Sequence, residues 1–397
     1  MTSDPVRLGV AGLGRAFMLT LPAFQADPRI KLVAAAAPRA ESRAAFERDF
    51  GGTGYASVDE LASDPNVEAI YVATPHQMHA DHVIAALKGG KHVLVDKPLS
   101  VSMEDAERMV AAAEESGGHL IVGPSHSFDA PVALARRLID SGEFGALRMV
   151  QAFNYTDFLY RPRRPEELRT EEGGGVLFSQ GIHQIDMVRL LCGGQAETLF
   201  AMTGNWDPDR PTEGAYSALL SFAGGAFATL TYSGYAHFDS DIWMDDIGEL
   251  GAPKSSGGYG AARSALIGLD AESEAKLKTT RTFGQGKAPA KATHHEHFGP
   301  VIALCDRADL RLTPGGVEIF ADTERRFVEA PVGPVPRQEV IDALYGAVRQ
   351  GRAPAQSGHW GLASLEVCHA ILTSAETGAP VRLGRQCGLN QEEIEHE

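Results

Sequence analysis

The sequence predicts an α/β protein: a doubly wound parallel sheet at the N-terminus, then an α+β domain with a mostly antiparallel, open-faced sheet. Three observations predict it. Short apolar runs alternate with helical patterns over the first third of the 397 residues, the rhythm of a parallel sheet. Past about residue 125, strand-like runs follow one another directly, joined by glycine-bearing turns. A glycine pair, Gly12 and Gly14, stands where the first strand passes into the first helix. The expected units are residues 1–125 and 126–397.

Val6–Ala11, Lys31–Ala36, Ala69–Ala73, His92–Asp96 and His119–Gly123 read as buried strands, rich in Val, Ile and Leu. Helical stretches fall between them at Ala16–Ala26, Arg39–Asp49, His79–Lys88 and Ser102–Ser116. The last opens on Ser102-Met103-Glu104-Asp105, the pattern of a capping box. In the second unit Leu147–Tyr155, Glu197–Gly204, Tyr216–Phe222 and Ala226–Ser233 read as strands, with a helix at Ser179–Leu191. Gly248–His297, rich in Gly, Ser, Ala and Lys without period, reads as an irregular insertion. Pro331–Pro336 reads as an extended connector, and Arg337–Gln350 and Trp360–Thr377 as helices that pack back on the first unit.

Composition excludes whole classes. With 36 Lys and Arg against 52 Asp and Glu, the net charge is −16, the opposite of a nucleic-acid footprint. No run approaches the ~20 apolar residues of a membrane span. The four cysteines, Cys192, Cys305, Cys368 and Cys387, lie far apart, as reduced thiols do in a cytoplasmic protein. An acid, Asp4, stands where a signal peptide carries cations. The expected location is the cytoplasm, and the expected partner a small molecule, not a membrane or a nucleic acid.

The first strand-to-helix turn reads Gly12-Leu13-Gly14-Arg15-Ala16-Phe17. Gly12 permits a tight turn, Gly14 lets a pyrophosphate approach the backbone, and the helix start at Arg15, Ala16 and Phe17 offers free N–H groups and a positive dipole end. This is the Rossmann dinucleotide site, with Phe17 where a third small residue is usual. At the end of the second strand, where NAD sites carry an acid for the ribose, stands Ala37, followed by Arg39 and Arg43. Those cations suit a 2′-phosphate, so the cofactor is NAD or NADP with a lean to NADP.

Further motifs resemble a known family. Ala73-Thr74-Pro75-His76-Gln77-Met78-His79, then Gly90-Lys91-His92-Val93-Leu94-Val95-Asp96-Lys97-Pro98-Leu99, then Gly173-Gly174-Gly175 ahead of Gly181-Ile182-His183-Gln184-Ile185-Asp186, resemble the three signatures of the glucose-fructose oxidoreductase / inositol dehydrogenase / rhizopine-catabolism (Gfo/Idh/MocA) family. The resemblance implies a two-domain NAD(P) oxidoreductase with its site between the domains, and cofactor contacts at Arg39, Thr74, Pro75, His79, Asp96, Lys97 and Pro98 besides the glycine turn. The stretches Phe153–Leu168, His295–Val301 and Pro336–Asp342 resemble the branch that includes phthalate 4,5-dihydrodiol dehydrogenase. Its members oxidise a cis-diol on a cyclohexadiene carboxylate, giving an aromatic product. Two departures stand out. The family's Glu-Lys-Pro is Asp96-Lys97-Pro98, and the Asp that sugar-oxidising members carry four residues before the catalytic His is Ser179.

Alcohol oxidation needs a base at the hydroxyl as hydride leaves the carbon. Lys97, at the end of a buried strand, is the candidate base, its pKa lowered by desolvation. His183 is the second catalytic candidate, as acceptor or as donor to the substrate oxygen, with Asp186 three residues on to orient it. Arg161, Arg163, Arg164 and Arg169 crowd one loop, and arginine holds carboxylates bidentately. Tyr155, Gln180, Arg163, Arg164 and Asp186 complete the expected substrate contacts. His294, His295 and His297 have a spacing that suits zinc, yet hydride transfer needs no metal, and none is expected. The reading is a cis-dihydrodiol dehydrogenase for an aromatic carboxylate; the alternatives are a sugar, anhydrosugar or polyol dehydrogenase, and a non-catalytic dinucleotide sensor. Apolar residues of the second sheet, Leu219, Phe222, Phe227, Leu230 and Tyr232, alternate between a helix-covered face and an outer one, which suggests a sheet-to-sheet homodimer or homotetramer.

Overall fold

The computed structural model describes residues 4–279, 282–284 and 292–389. In chain order the first sheet and its helices are β1 (Val6–Ala11), α1 (Arg15–Ala26), β2 (Ile30–Ala36), α2 (Ala40–Phe50), β3 (Thr53–Tyr55), α3 (Val58–Ala62), β4 (Ala69–Val72), α4 (His79–Lys88), β5 (His92–Val95), α5 (Met103–Ser116) and β6 (Leu120–Val122). The strands lie in the order β3-β2-β1-β4-β5-β6, every pair parallel. The order reverses between β1 and β4, so a crevice opens beyond the carboxyl ends of these strands, where Gly12, Ala73 and Lys97 stand. Two short elements, β3 and α3, were not read from the sequence; three and five residues long, they are too brief to show a period. The Ser102 side chain caps α5, accepting from the Asp105 N–H at 3.2 Å.

The rest of the chain is α6 (Ala130–Asp140), β7 (Leu147–Tyr155), α7 (Ile182–Leu191), β8 (Ala196–Gly204), β9 (Ala215–Phe222), β10 (Phe227–Ser233), α8 (Ala261–Leu266), α9 (Ala271–Thr279), β11 (Val301–Cys305), β12 (Ala308–Thr313), β13 (Gly316–Ala321), β14 (Arg325–Glu329), α10 (Gln338–Gln350), α11 (Gly358–Thr377) and β15 (Val381–Arg382). Nine strands form one sheet, β14-β13-β12-β11-β7-β10-β9-β8-β15, antiparallel except for the β10–β7 pair. The sequence reading passed over β11–β14, although buried alternation marks them: Leu310 and Leu312, then Val317 and Ile319. The stretch 248–297 is not irregular throughout, since it holds α8 and α9; part of it lies outside the described residues.

α7 is buried along its whole length, at the centre of the second domain. Beside it α11 packs on α5 and β6 of the first domain and on β8 of the second, and α10 lies against α1 and β1. One face of the nine-stranded sheet is thereby covered. Phe222, Leu230 and Tyr232 point into it and are buried. Leu219 and Phe227, one register step away, face outward with Phe200 and Met202 and are exposed. Among the described residues no helix is long and apolar enough to cross a membrane.

Candidate active site

The site begins at the β1–α1 turn. Gly12 has φ +95°, and a Cβ there would meet the Ala73 carbonyl oxygen at 2.8 Å, so only glycine fits. Gly14 caps α1 without a side-chain bond, and no acid occupies the first turn. A Cβ on Gly14 would meet nothing nearer than 3.9 Å, so open space lies over a helix N-terminus whose first amides have no intrahelical acceptor. Those features fit a dinucleotide pyrophosphate. Arg15 and Ala16 line the space. Phe17 instead turns inward, edge-on to Phe283 at 5.5 Å, which ties the 248–297 stretch to the first domain.

At the end of β2 there is no carboxylate. Arg43 Nη1 donates to the carbonyls of Ala37 and Pro38 at 2.7 and 2.9 Å, and Arg39 Nη2 donates to Thr282 Oγ1 at 3.0 Å. Thr74 and Pro75 reach the cavity. His79 does not: it is buried behind them, its ring nitrogens 2.9 Å from the Pro98 carbonyl oxygen and 3.0 Å from that of Thr74. His79 and Pro98 brace the two motif loops and make no cavity wall, a correction to their expected cofactor contact.

Between the sheets lies a cavity of about 590 Å³ that Lys97, Asp96, Gln180 and His183 share with Gly14. Lys97, just past β5, extends Nζ to the Ser179 carbonyl at 2.7 Å. Enclosure lowers its pKa, outweighing the pull of Asp96 and Glu249. Desolvation likewise pushes the Asp96 carboxyl up to about 6 despite Lys97 beside it. A π-helical turn, Leu177–Gly181, brings Ser179 and Gln180 in front of α7. The glycine run before it serves packing: Gly175, at φ +75°, lies so close to the Glu213 carboxylate that a Cβ has no room. His183, one residue into α7, is buried, with Nδ1 3.4 Å from Ser125 Oγ. Its pKa falls well below the ordinary value, by burial first and then by Lys97.

Arg161, Arg163 and Arg164 line the same cavity, whereas Arg169 is turned away and pairs with Glu172 at 2.6 Å. The Arg163 guanidinium stacks on the Phe158 ring at 3.6 Å and donates from Nη2 to the Phe158 carbonyl at 2.8 Å. Its Nε is buried without a hydrogen-bond partner, and enclosure lowers its pKa to about 10.

Two expected substrate contacts lie elsewhere. Tyr155 falls on the outer face of β7, beside Phe153 at 5.8 Å; strand alternation gives the cavity Asn154 instead, and Thr156 beyond the strand end. Asp186 is buried on another side of α7, where it accepts from the Trp360 indole N–H, so it orients neither Lys97 nor His183. Four residues with no assigned role in the sequence reading do reach the cavity: His126, Glu249, Lys278 and Arg337. Three stand inside stretches already legible. Arg337 falls in the branch-like Pro336–Asp342 segment, and Glu249 and Lys278 lie in the Gly248–His297 stretch. Arg337 binds Glu296 at 2.9 Å. His126, Asp129 and Glu296 bring donor atoms within 4.8 Å of one another, but His126 bonds Asp129 and Glu296 grips Arg337, so the cluster is satisfied as ion pairs. His295 and His297 each reach a backbone carbonyl.

The comparisons fit this geometry. Residues 6–124 match the oxidoreductase family with an NAD-binding Rossmann fold, and residues 132–252 match the C-terminal domain of the same family. Over 385 residues, 96% of either chain, the sequence is 44% identical to 1-carboxy-3-chloro-3,4-dihydroxycyclohexa-1,5-diene dehydrogenase of Comamonas testosteroni. The chain belongs to the Gfo/Idh/MocA oxidoreductase family. The crystal structure of the putative dehydrogenase from Bordetella bronchiseptica RB50 superposes with a TM-score of 0.91 at 39% identity over 96% of this chain and 100% of that one. The WlbA dehydrogenase from Bordetella pertussis, in complex with NADH and UDP-GlcNAcA, shares the fold at 21% identity and a TM-score of 0.68, covering 96% of this chain and 99% of that one. As a Gfo/Idh/MocA member the chain is a dehydrogenase with an NAD-binding Rossmann domain, and Lys97 and His183 lie within the matched residues.

Proposed function

We propose that the protein oxidises the cis-dihydrodiol of a ring carboxylate, giving a dihydroxy aromatic acid. The observation that carries this reading is a group of three arginines, Arg161, Arg163 and Arg164, in the wall of the cavity that holds Lys97 and His183, with the Arg163 guanidinium stacked on the Phe158 ring. A planar carboxylate matches a guanidinium in that wall. The 44%-identical relative, named for a carboxylated cyclohexadiene diol, supports the same substrate class.

The nicotinamide, when bound, accepts the hydride. Lys97, as a neutral amine, takes the hydroxyl proton, its N–H still bonded to the Ser179 carbonyl. Neutral His183 accepts a hydrogen bond from the neighbouring hydroxyl of the diol. Arg163 holds the carboxylate and so fixes which carbon faces the cofactor site. For the cofactor itself the lean is to NADP, because Arg39 and Arg43 and no acid stand at the end of β2. The outer sheet face pairs with a second copy of the chain, and free cysteines fit the cytoplasm.

A substrate panel followed by nicotinamide absorbance tests this. Carboxylated cyclohexadiene cis-diols are expected to be oxidised far faster than sugars, anhydrosugars or polyols. The reverse order, or dinucleotide binding without any turnover, overturns the reading.

A further inference from the structure

His126 stands in a short 3-10 turn, His126–Phe128, at the cavity wall. A carboxylate faces each of its ring nitrogens: Asp129 Oδ2 lies 2.7 Å from Nδ1, and Glu249 Oε1 lies 3.9 Å from Nε2. The second Glu249 oxygen lies 3.9 Å from Arg161 Nη1. The imidazole is also set edge-on to His183, ring centres 4.8 Å apart at 68°, and both rings rest against Phe298.

An imidazole hydrogen-bonded to one carboxylate at Nδ1, with a second carboxylate at ion-pair distance from Nε2, is favoured as a cation. Burial opposes that charge, but Asp129 and Glu249 prevail and raise the His126 pKa to about 10. Burial would push Glu249 up, yet His126 and Arg161 hold it down to about 2. A lasting positive charge against the His183 ring disfavours a second proton there. The other groups acting on His183 are Ser125, Lys97 and Arg337; those around His126 include Glu296, held by Arg337, and His297.

We propose that His126 is a positioning residue of the reaction: hydrogen-bonded to Asp129, paired at longer range with Glu249 and edge-on to His183, it is a fixed cation that adds to burial and Lys97 in keeping the His183 imidazole neutral and hydrogen-bond-accepting. Packing alone does not require this arrangement, since a phenylalanine would fill the space without two converging carboxylates. The inference rests on His183 as acceptor at the substrate diol.

Histidine side-chain NMR on the full chain tests it directly, with signals assigned by His126→Phe and His183→Gln. In the wild type His126 is expected to stay protonated and His183 neutral from about pH 5 to 9. A His126 that titrates near the ordinary histidine value, or a His183 that protonates near pH 6, overturns the proposal even where no variant folds. His126→Phe keeps a ring and removes the charge. It is expected to raise the His183 midpoint by about 1 pH unit, and His126→Arg is expected to bring it back. In kcat/KM the acid limb, set by Lys97 alone with a log slope of about one, then steepens toward about two as His183 protonates. A merely structural role lowers kcat at every pH without changing that slope, and an unchanged slope overturns the proposal. Loss of the dehydrogenase reading shows separately, as a wild type inactive on every diol while the NMR titration stands.

Discussion

Lys97 Nζ donates to the main-chain carbonyl of Ser179 at 2.7 Å, one bond that joins the end of β5 to the π turn before α7. Gln180 Nε2 donates to the same oxygen at 3.0 Å, so both lone pairs of that carbonyl are engaged. Because the acceptor is a main-chain carbonyl, the bond makes no demand on the side chain at Ser179. A carboxylate at position 179 would add to the pull of Asp96 and Glu249 toward a charged lysine. A carbonyl orients an amine N–H without that charge and leaves enclosure free to favour the neutral form.

Lys97→Met is therefore expected to keep dinucleotide binding, measured by fluorescence titration, while turnover falls by at least ~100-fold, the scale of a lost positioned base. The pH sign follows. With its pKa lowered, Lys97 reaches the neutral form below the usual lysine range, so wild-type kcat/KM rises with pH and levels off below ~10.4, the free lysine value. Near-normal turnover in the Met variant removes Lys97 from the chemistry.

Ala37→Asp is expected to shift preference toward NAD. The new carboxylate would accept from the ribose hydroxyls and repel a 2′-phosphate, and it would meet Arg43, which lies across the Ala37 carbonyl. Binding constants for NAD and NADP decide it. A wild type that already ignores NADP sinks the argument from Ala37.

Much of this was legible in the chain itself. Val6–Ala11 and Leu147–Tyr155 read as strands residue for residue, because a buried parallel strand is continuously apolar and β7 is flanked by turn signals. Lys97 and His183 were legible as motif residues, and the structure puts both in one cavity. Tyr155 was misplaced because pleat parity, fixed by pairing with β10 and β11, cannot be read along one strand. Asp186 was misplaced because a helix buried on every side has no single functional face. His126, Glu249 and Arg337 escaped notice since they come to one cavity only through tertiary packing, from widely separated segments of the chain.

Asp186 supplies a stability test. Its Oδ2 is buried without a partner, and its Oδ1 depends on the Trp360 indole N–H. Trp360→Phe leaves the carboxylate with no donor there, so unfolding free energy is expected to drop by about 1–3 kcal/mol, seen as a lower urea midpoint. An unchanged midpoint contradicts the assigned contact.

The outer sheet face yields a test of assembly: Phe200, Met202, Leu219 and Phe227 are 43%, 68%, 48% and 42% exposed on adjacent strands. Apolar area gathered this way marks an interface. Light scattering at micromolar concentration is expected to give a dimer or tetramer, and Leu219→Glu to shift it toward monomer. A monomeric wild type rejects the pairing.

Arg163 ties the substrate class to a named cation. Its guanidinium is already held on one side by the Phe158 carbonyl and ring, so its orientation does not depend on substrate, and the residue lines the cavity that holds Lys97. Arg163→Ala is expected to lower kcat/KM on a carboxylated dihydrodiol by ~2–5 kcal/mol, the range for leaving an enclosed charge unpaired. On an uncharged dihydrodiol, which makes no such contact, the loss is expected to be much smaller. Arg169→Ala is the control, because Arg169 is exposed and paired with Glu172, and it should change neither. Equal losses on charged and neutral diols would make Arg163 a packing residue of the Phe158 loop, and the carboxylate reading would then lose the contact on which it rests.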